Sequence, residues 1–412
     1  MSVDEAQKKI ISVFEPLGME TISIEKAIGR VLAQSVFSEI NLPLFPNSSM
    51  DGFAVRSLDL EGVSIEYPKQ LEVVDDIPAG KVSKIVIKSG QASRIMTGAP
   101  LPRGADSVIP VEDTDQFQHG RQSQILPSRV NVFRSVQSGD YVRQKGEDIQ
   151  SGECVLPQGK RIRPQEVGLL AMLGMSDIPV VKRPRVAIIS TGDELVPINK
   201  ALGPGQIYDS NIYSLSAQVS RDGGEPFNLG IASDRESAVI DVLEKTTSSR
   251  VDLILSTAGV SVGAFDVVKS VVERFGRIEF WRVNMRPGKP VTFGHYQNIP
   301  FVGLPGNPVS AYVSYEIFVR PAVYRLSGME TFEHLRIPVR LLDPVESDGR
   351  ESYLRAIVKR QAGNWTAQLT GHQGSGNLWS LVQANALLVL PSGVKSLPSG
   401  AIIEALLLNE AD

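Results

Sequence analysis

The chain has 412 residues, enough for two to four domains at roughly 150 residues each. Its 42 Lys and Arg against 46 Asp and Glu leave a formal charge of −4, which gives no electrostatic reason to expect nucleic acid or an anionic membrane as a partner. One cysteine, Cys154, and four histidines at 119, 295, 334 and 372 exclude an intramolecular disulfide, a zinc ribbon and an iron–sulfur cluster held by this chain alone. Any chemistry must therefore rest mostly on oxygen ligands and backbone amides. The start, Met1-Ser-Val-Asp-Glu-Ala-Gln-Lys-Lys-Ile, sets acids beside its bases with no apolar segment behind them, unlike a signal peptide. No stretch approaches the ~18 consecutive apolar residues of a membrane helix, and the cytoplasm is the expected location.

Apolar spacing predicts two helical pieces within residues 3–36, broken near Pro16 and Gly18; the second carries Ile24, Ala27, Ile28, Val31 and Leu32 on one face. The prolines of Leu42-Pro-Leu-Phe-Pro46 end regular structure. From about 50 to 157, short β-like runs such as 84–88, 107–111 and 130–133 alternate with Gly, Pro and Asp turns, which reads as an all-β module. A helix is predicted over 163–174, with proline near its start and glycine after its end. Cys154, in a strand-like run, reads as a small core residue.

From Arg185 to Gly328 strands and helices alternate, which predicts a mostly parallel, doubly wound sheet. The expected strands are 186–190, 227–231, 251–255, 278–283, 290–293 and 301–304. The expected helices are 212–221, with Asn211 as its cap, 237–245, opened by capping-box spacing at Ser233-Asp-Arg-Glu236, 267–275 and 309–326. The tail, 335–408, returns to short strands and reads as a small β-barrel or sandwich.

In a doubly wound domain, ligands bind beyond the carboxyl ends of the strands. Four loops are expected there: Thr191–Leu195, Ser256–Asp266, the cationic Arg286–Pro290 between two strand-like runs, and Leu304–Pro308. The Gly and hydroxyl residues of 256–263 suit an oxyanion, and Arg286 and Lys289 add positive charge. The sequence lacks both a Walker A motif, since Gly288-Lys289 is followed by proline, and a G-x-G-x-x-G fingerprint. Asp193, Glu194, Asp234 and Asp266 share these regions. Each alone is an ordinary turn residue, but together, beside a phosphate, they call for a hard divalent cation such as Mg²⁺. By local physics, Met50-Asp51-Gly52 and Thr97-Gly98-Ala-Pro100 read as simple turns.

Six motifs in order carry a more specific signal: Asn47-Ser-Ser-Met-Asp-Gly-Phe-Ala-Val55, Met96-Thr-Gly-Ala-Pro100, Ser190-Thr-Gly-Asp-Glu-Leu195, Gly259-Val-Ser-Val-Gly263 with Asp266, Met285-Arg-Pro-Gly-Lys-Pro290, and Gly303-Leu-Pro-Gly-Asn-Pro-Val-Ser-Ala311. With Gln373-Gly-Ser-Gly376 and Ala384-Asn-Ala386, they resemble the molybdopterin molybdenumtransferase family, MoeA in bacteria and the E domain of gephyrin in animals, over nearly the whole chain.

The resemblance implies an α/β multidomain protein: a discontinuous helical linker domain (1–45 and 145–180), a β domain (46–144), a doubly wound molybdopterin-binding domain (181–328) and a C-terminal β-barrel (329–412). It implies a cytoplasmic homodimer with an intersubunit site, small-molecule substrates, and contact with the upstream adenylyltransferase, without nucleic acid or membrane. The implied reaction takes molybdate and adenylylated molybdopterin, releases AMP and leaves molybdenum on the dithiolene sulfurs, with Mg²⁺ required. The implied catalytic residues are Asp51, Thr97, Glu194, Asp234 and Asp266, with Glu194 and Asp234 also toward the metal. The implied substrate-binding residues are Thr257, Gly259, Ser261, Gly263, Arg282, Arg286, Lys289, Pro305, Asn307, Pro308, Arg355 and Ser375. Arg282 and Arg286 stand where some members carry lysine. Ala258 stands at a usual glycine and would be strained if that position needs a positive φ. Adenylylation of molybdopterin and a non-catalytic scaffold of the same fold are the alternative readings.

Overall fold

The computed structural model describes residues 1–118, 121–122, 125–258, 262–329, 334–361 and 363–408. It divides into two compact units, one of Met1–Gln34, Gln158–Gly168 and Met175–Asp412, the other of Ser35–Pro157 and Leu169–Gly174. No helix among the described residues is long and apolar enough to cross a membrane.

The chain opens with helix α1 (Val3–Ile11), whose Ser2 and Glu5 close a reciprocal capping box and whose Val3, Ala6 and Ile10 are buried. The second predicted helix does not form. Strand β1 (Met19–Ser23) and a 3₁₀ turn (Ile24–Lys26) take its place, Ile28 is 52% exposed, and Gly29 adopts φ +75. The reason is long-range pairing: β1 runs antiparallel to a strand more than 150 residues later, which a local apolar period cannot reveal.

The β module is a five-stranded sheet. Its members are β2 (Gly52–Val55), β3 (Lys69–Ile77), β4 (Gln91–Ile95), β5 (Ser107–Pro110) and β6 (Arg129–Val132), in the order β6–β3–β4–β2–β5. Phe53, Leu71, Ile109 and Val130 form its core. Residues 84–88 are not a strand: the apolar run is mostly exposed, with only Ile87 buried. Cys154 is likewise exposed rather than a core residue, on a three-residue strand that pairs only at Phe37 and Val36.

After α2 (Pro164–Met172) and β7 (Asp177–Val181), the partner of β1, comes the doubly wound sheet. In chain order its elements are β8 (Arg185–Thr191), α3 (Asn211–Arg221), β9 (Glu225–Ala232), α4 (Glu236–Ser248), β10 (Leu253–Ala258), α5 (Val262–Phe275) and β11 (Gly276–Phe280). Then follow a two-residue strand β12 (Met285–Arg286), β13 (Thr292–Tyr296) and β14 (Ile299–Pro305). The sheet order is β9–β8–β10–β14–β13–β11: the first four strands run parallel, β13 runs antiparallel to β14, and β11 pairs antiparallel with β13. Alternate residues of one strand face opposite cores. Val186 and Ile188 belong to one apolar cluster, Ala187 and Ile189 to the other, so both faces are buried as a parallel sheet requires.

The last helical run is α6 (Pro308–Ser314), a π-helical turn (Tyr315–Val319) and α7 (Arg320–Leu326). The tail contributes β15 (Arg336–Leu341), β16 (Glu351–Gln361), β17 (Asn364–Leu369), α8 (Leu378–Gln383), β18 (Ala386–Leu390) and β19 (Ile402–Leu407). Pairings run β16–β17–β15–β19–β18 and back to β16, a closed five-stranded barrel. Strand β12 adds to it in parallel, with Met285 opposite Glu351 and Arg286 opposite Ser352.

Candidate functional site

Register aligns the carboxyl ends of the four parallel strands: Thr191 lies opposite Ala232 and Ala258, and Ala258 opposite Pro305. The predicted loops after β8, β10 and β14, and the turn after β9 that carries Asp234, therefore leave from one edge, whereas the Arg286–Pro290 loop follows β12, which joins the barrel. Ala258 closes an extended strand here, so no left-handed strain arises from the missing glycine.

Acids gather at one end of this edge. The Asp234 amide donates to Asp193 Oδ1 at 3.3 Å. Burial, and then the negative charges of Asp193 and Glu194, raise the Asp234 carboxyl above its ordinary value. Asp234 Oδ1 is buried without a hydrogen-bond donor. Like charges that repel one another beside an unpartnered oxygen are a fitting first coordination layer for a hard cation. Among the described residues, however, no three His, Cys, Asp or Glu side chains are grouped so as to hold a metal ion by themselves. The predicted capping box at Ser233 is not built: Arg235 is the N-cap without a side-chain bond, and Glu236 pairs with Arg274 instead.

Thr257 is buried and donates its hydroxyl to Ser190 Oγ at 3.1 Å, between strands rather than into the open. Gly259 and Ser261 lie outside the described residues, as does the Asp266 side chain. Gly263 and Asp266 fall on α5, which starts earlier than its apolar period suggests. Arg282 is exposed and stacks over Trp281 at 3.7 Å from the ring centroid.

Cations gather at a second place. A cavity of about 390 Å³ is lined by Arg286, Lys289, Pro305, Asn307, Arg355 and Ser375, all six named from the sequence. Its wall also holds Ser310, Arg350, Tyr353 and Gln373, which sequence reasoning did not single out. Of these, Ser310 and Gln373 stand inside quoted motifs; Arg350 follows an Asp-Gly turn with nothing to mark it. The added β12 strand and the barrel strand β16 bring the two halves of the cavity together. Gly288 is at φ +109, and a Cβ there would stand 2.6 Å from Ser314 Oγ, so the cationic loop needs glycine at this point.

Arg355 is the unusual member. It is 1% exposed, and among the described residues all its side-chain hydrogen-bond partners are neutral: Ser380 Oγ (3.0 Å) and the carbonyls of Gln373 (3.1 Å), Gly374 (2.9 Å) and His372 (3.4 Å). Burial, then Arg286 nearby, push its pKa down to about 10, still far above neutrality. A buried guanidinium that meets no carboxylate is costly unless an anion joins it. Arg350, in contrast, is bound by Asp348, whose carboxyl that guanidinium holds down near 2.

In the β module, Asp51 and Thr97 come together. Asp51 Oδ1 accepts from both the amide and the hydroxyl of Thr97 at 2.7 Å. The next residue must be glycine, because a Cβ at Gly52 would sit 2.0 Å from the Ile109 carbonyl oxygen.

Three family models divide the chain: MoeA N-terminal region (domain I and II) over residues 1–174, probable molybdopterin binding domain over 187–325, and MoeA C-terminal region (domain IV) over 338–408. A molybdopterin molybdenumtransferase of Nostoc is 39% identical over 92% of this chain and 87% of its own length, and one of Bacillus subtilis 36% identical over 99% and 94%. The chain belongs to the molybdopterin molybdenumtransferase family. The solved molybdopterin biosynthesis MoeA protein of Pyrococcus horikoshii OT3 matches over 99% of both chains with a TM-score of 0.82 at 28% identity. Membership over the full length favours the transferase reading over an adenylyltransferase or a scaffold.

Proposed function

We propose that the chain inserts molybdenum from molybdate into adenylylated molybdopterin with release of AMP, in the cytoplasm. The observation that carries this reading is Arg355, buried in a cationic cavity and without a carboxylate partner among the described residues. A tetrahedral dianion is the ligand that such a pocket stabilises, and Arg286, Lys289, Asn307 and Ser375 would hold molybdate against it. The acidic edge supplies the second half. Asp193, Glu194 and Asp234 offer hard oxygens that suit Mg²⁺, with Glu194 and Asp234 as ligands or as orienters of water at the phosphoanhydride. When bound, the ion would neutralise charge on the adenylate phosphate. Thr257, Gly259, Ser261, Gly263, Asp266, Arg282 and Pro308 complete the proposed substrate-contacting set on the strength of the family resemblance.

Asp51 and Thr97, preorganised against each other, are proposed to act in a homodimer whose site joins two subunits, with the four-domain partition given above and with contact to the upstream adenylyltransferase. Mixing Asp51→Ala and Glu194→Ala chains tests this. Random re-association restores roughly a quarter of the sites if each site takes Asp51 and Glu194 from different subunits, and none if both come from one.

The direct test mixes purified protein with adenylylated molybdopterin, molybdate and Mg²⁺. AMP release that requires molybdate is the expected result, and release indifferent to molybdate overturns the reading. Asp51→Ala, Glu194→Ala and Asp266→Ala are each expected to abolish insertion with the fold intact; wild-type turnover in all three sinks the site assignment.

A further inference from the structure

We propose that Asn211 is a positioning residue that fixes the Pro305–Pro308 loop, and through it the oxyanion cavity; the inference rests on the reading of that cavity given above. Asn211 is the first residue of α3 and is 8% exposed. Its expected role as a helix cap is taken by a neighbour: Asp209 Oδ1 accepts from the Ile212 amide at 3.2 Å. The Asn211 amide reaches away from its own helix and donates from Nδ2 to the Gly306 carbonyl at 2.7 Å.

Gly306 sits where the loop has least means of fixing itself. It has no side chain, and Pro305 and Pro308 around it contribute no N–H. Pro305 and Asn307, its direct neighbours, both line the cavity. Asn307 is the N-cap of α6 but makes no side-chain capping bond; its Nδ2 donates to Ser375 Oγ at 2.9 Å, and the Val309 amide to the Ser375 carbonyl at 3.1 Å. Thus the bond from Asn211 lands one residue from the side chain that spans the cavity.

Asn211 is itself held. The Ile207 amide donates to the Glu194 carbonyl at 2.9 Å and the Asp209 amide to the Val196 carbonyl at 3.1 Å, so the segment before α3 is strapped to the edge of the sheet. Asn211 Oδ1 is buried without a donor among the described residues. An amide with one orphaned end is a poor space-filler compared with leucine, so the useful end is the one bonded to Gly306.

The experiment measures tungstate or molybdate binding by calorimetry, and the molybdate KM and kcat of AMP release, in wild type, Asn211→Leu, Asn211→Asp and Arg355→Ala. Asn211→Leu keeps the volume and removes the donor. It is expected to weaken oxyanion binding and raise KM about five- to tenfold, with kcat at saturating molybdate and the denaturation midpoint retained. Asn211→Asp, which turns an acceptor against the Gly306 carbonyl, is expected to bind more weakly still. Wild-type affinity in Asn211→Leu overturns the proposal, as does a parallel loss of kcat, affinity and midpoint. If Asn211→Leu does not fold, Asn211→Ala, which also removes the donor, carries the same comparison. Absence of oxyanion binding in wild type, or its survival in Arg355→Ala, overturns instead the reading of the cavity.

Discussion

Two arginines are buried in the same unit and live in opposite electrostatic worlds. Arg320 lies in a closed network with Asp222 and Glu316, both fully buried. Its Nε is 3.2 Å from Asp222 Oδ1 and its Nη1 3.1 Å from Glu316 Oε2. Arg221 adds 2.9 and 2.8 Å contacts to the same two acids, Gln218 donates to Glu316, and Tyr315 to Asp222. Burial alone would lower the pKa of both cations, yet the two acids raise it. Arg355 has no such acid among the described residues, and its pKa falls. A buried charge neutralised within the fold is a structural element, whereas one left unneutralised at a cavity wall is a binding group awaiting its counterion.

The largest expected effect separates the two most sharply. Glu316→Ala leaves buried guanidinium charge uncompensated and should cost about 3–5 kcal/mol of stability in denaturant titration. Oxyanion affinity per folded molecule should not change. Arg355→Ala should do the reverse: it removes about 2–3 kcal/mol of oxyanion affinity in calorimetry while leaving the denaturation midpoint unchanged or raised. A lower midpoint in Arg355→Ala would erase the distinction.

Smaller effects should grade between these. Gln373 accepts from the Arg355 amide (2.9 Å) and donates to the Arg355 carbonyl (3.1 Å), so it aims the strand that carries the guanidinium. Gln373→Met is expected to weaken oxyanion binding by about 1 kcal/mol, roughly fivefold. Arg350, on the cavity wall but already paired with Asp348, should matter least. Arg350→Met is expected to change affinity only a few-fold, and more in low salt than in high.

Much of this was legible in the chain itself. Strand–helix alternation predicted the doubly wound sheet because a parallel strand buried on both faces leaves an unbroken apolar run, as in Val186–Ile189. The site motifs were legible for a related reason: a loop at a strand's carboxyl end is a local feature with its own Gly, Pro and acid spelling. The failures were equally physical. Residues 24–32 have a helical apolar period, but pairing of Met19–Ser23 with Asp177–Val181 overrode it. Asn211 looked like a cap because capping is the local use of asparagine, and its actual partner is 95 residues away.

By itself the sequence determined which chemistry was possible. One thiol and scattered histidines left the work to carboxylates, hydroxyls and cations, and the motif order assigned them to a family. Only the tertiary structure decided which of those groups meet. Arg286 and Arg355 share a cavity because β12 pairs with β16, and Arg355 is unneutralised because its loop offers only carbonyls and hydroxyls. Residue type is written locally, whereas the company a charge keeps is set by strand register and packing across the fold.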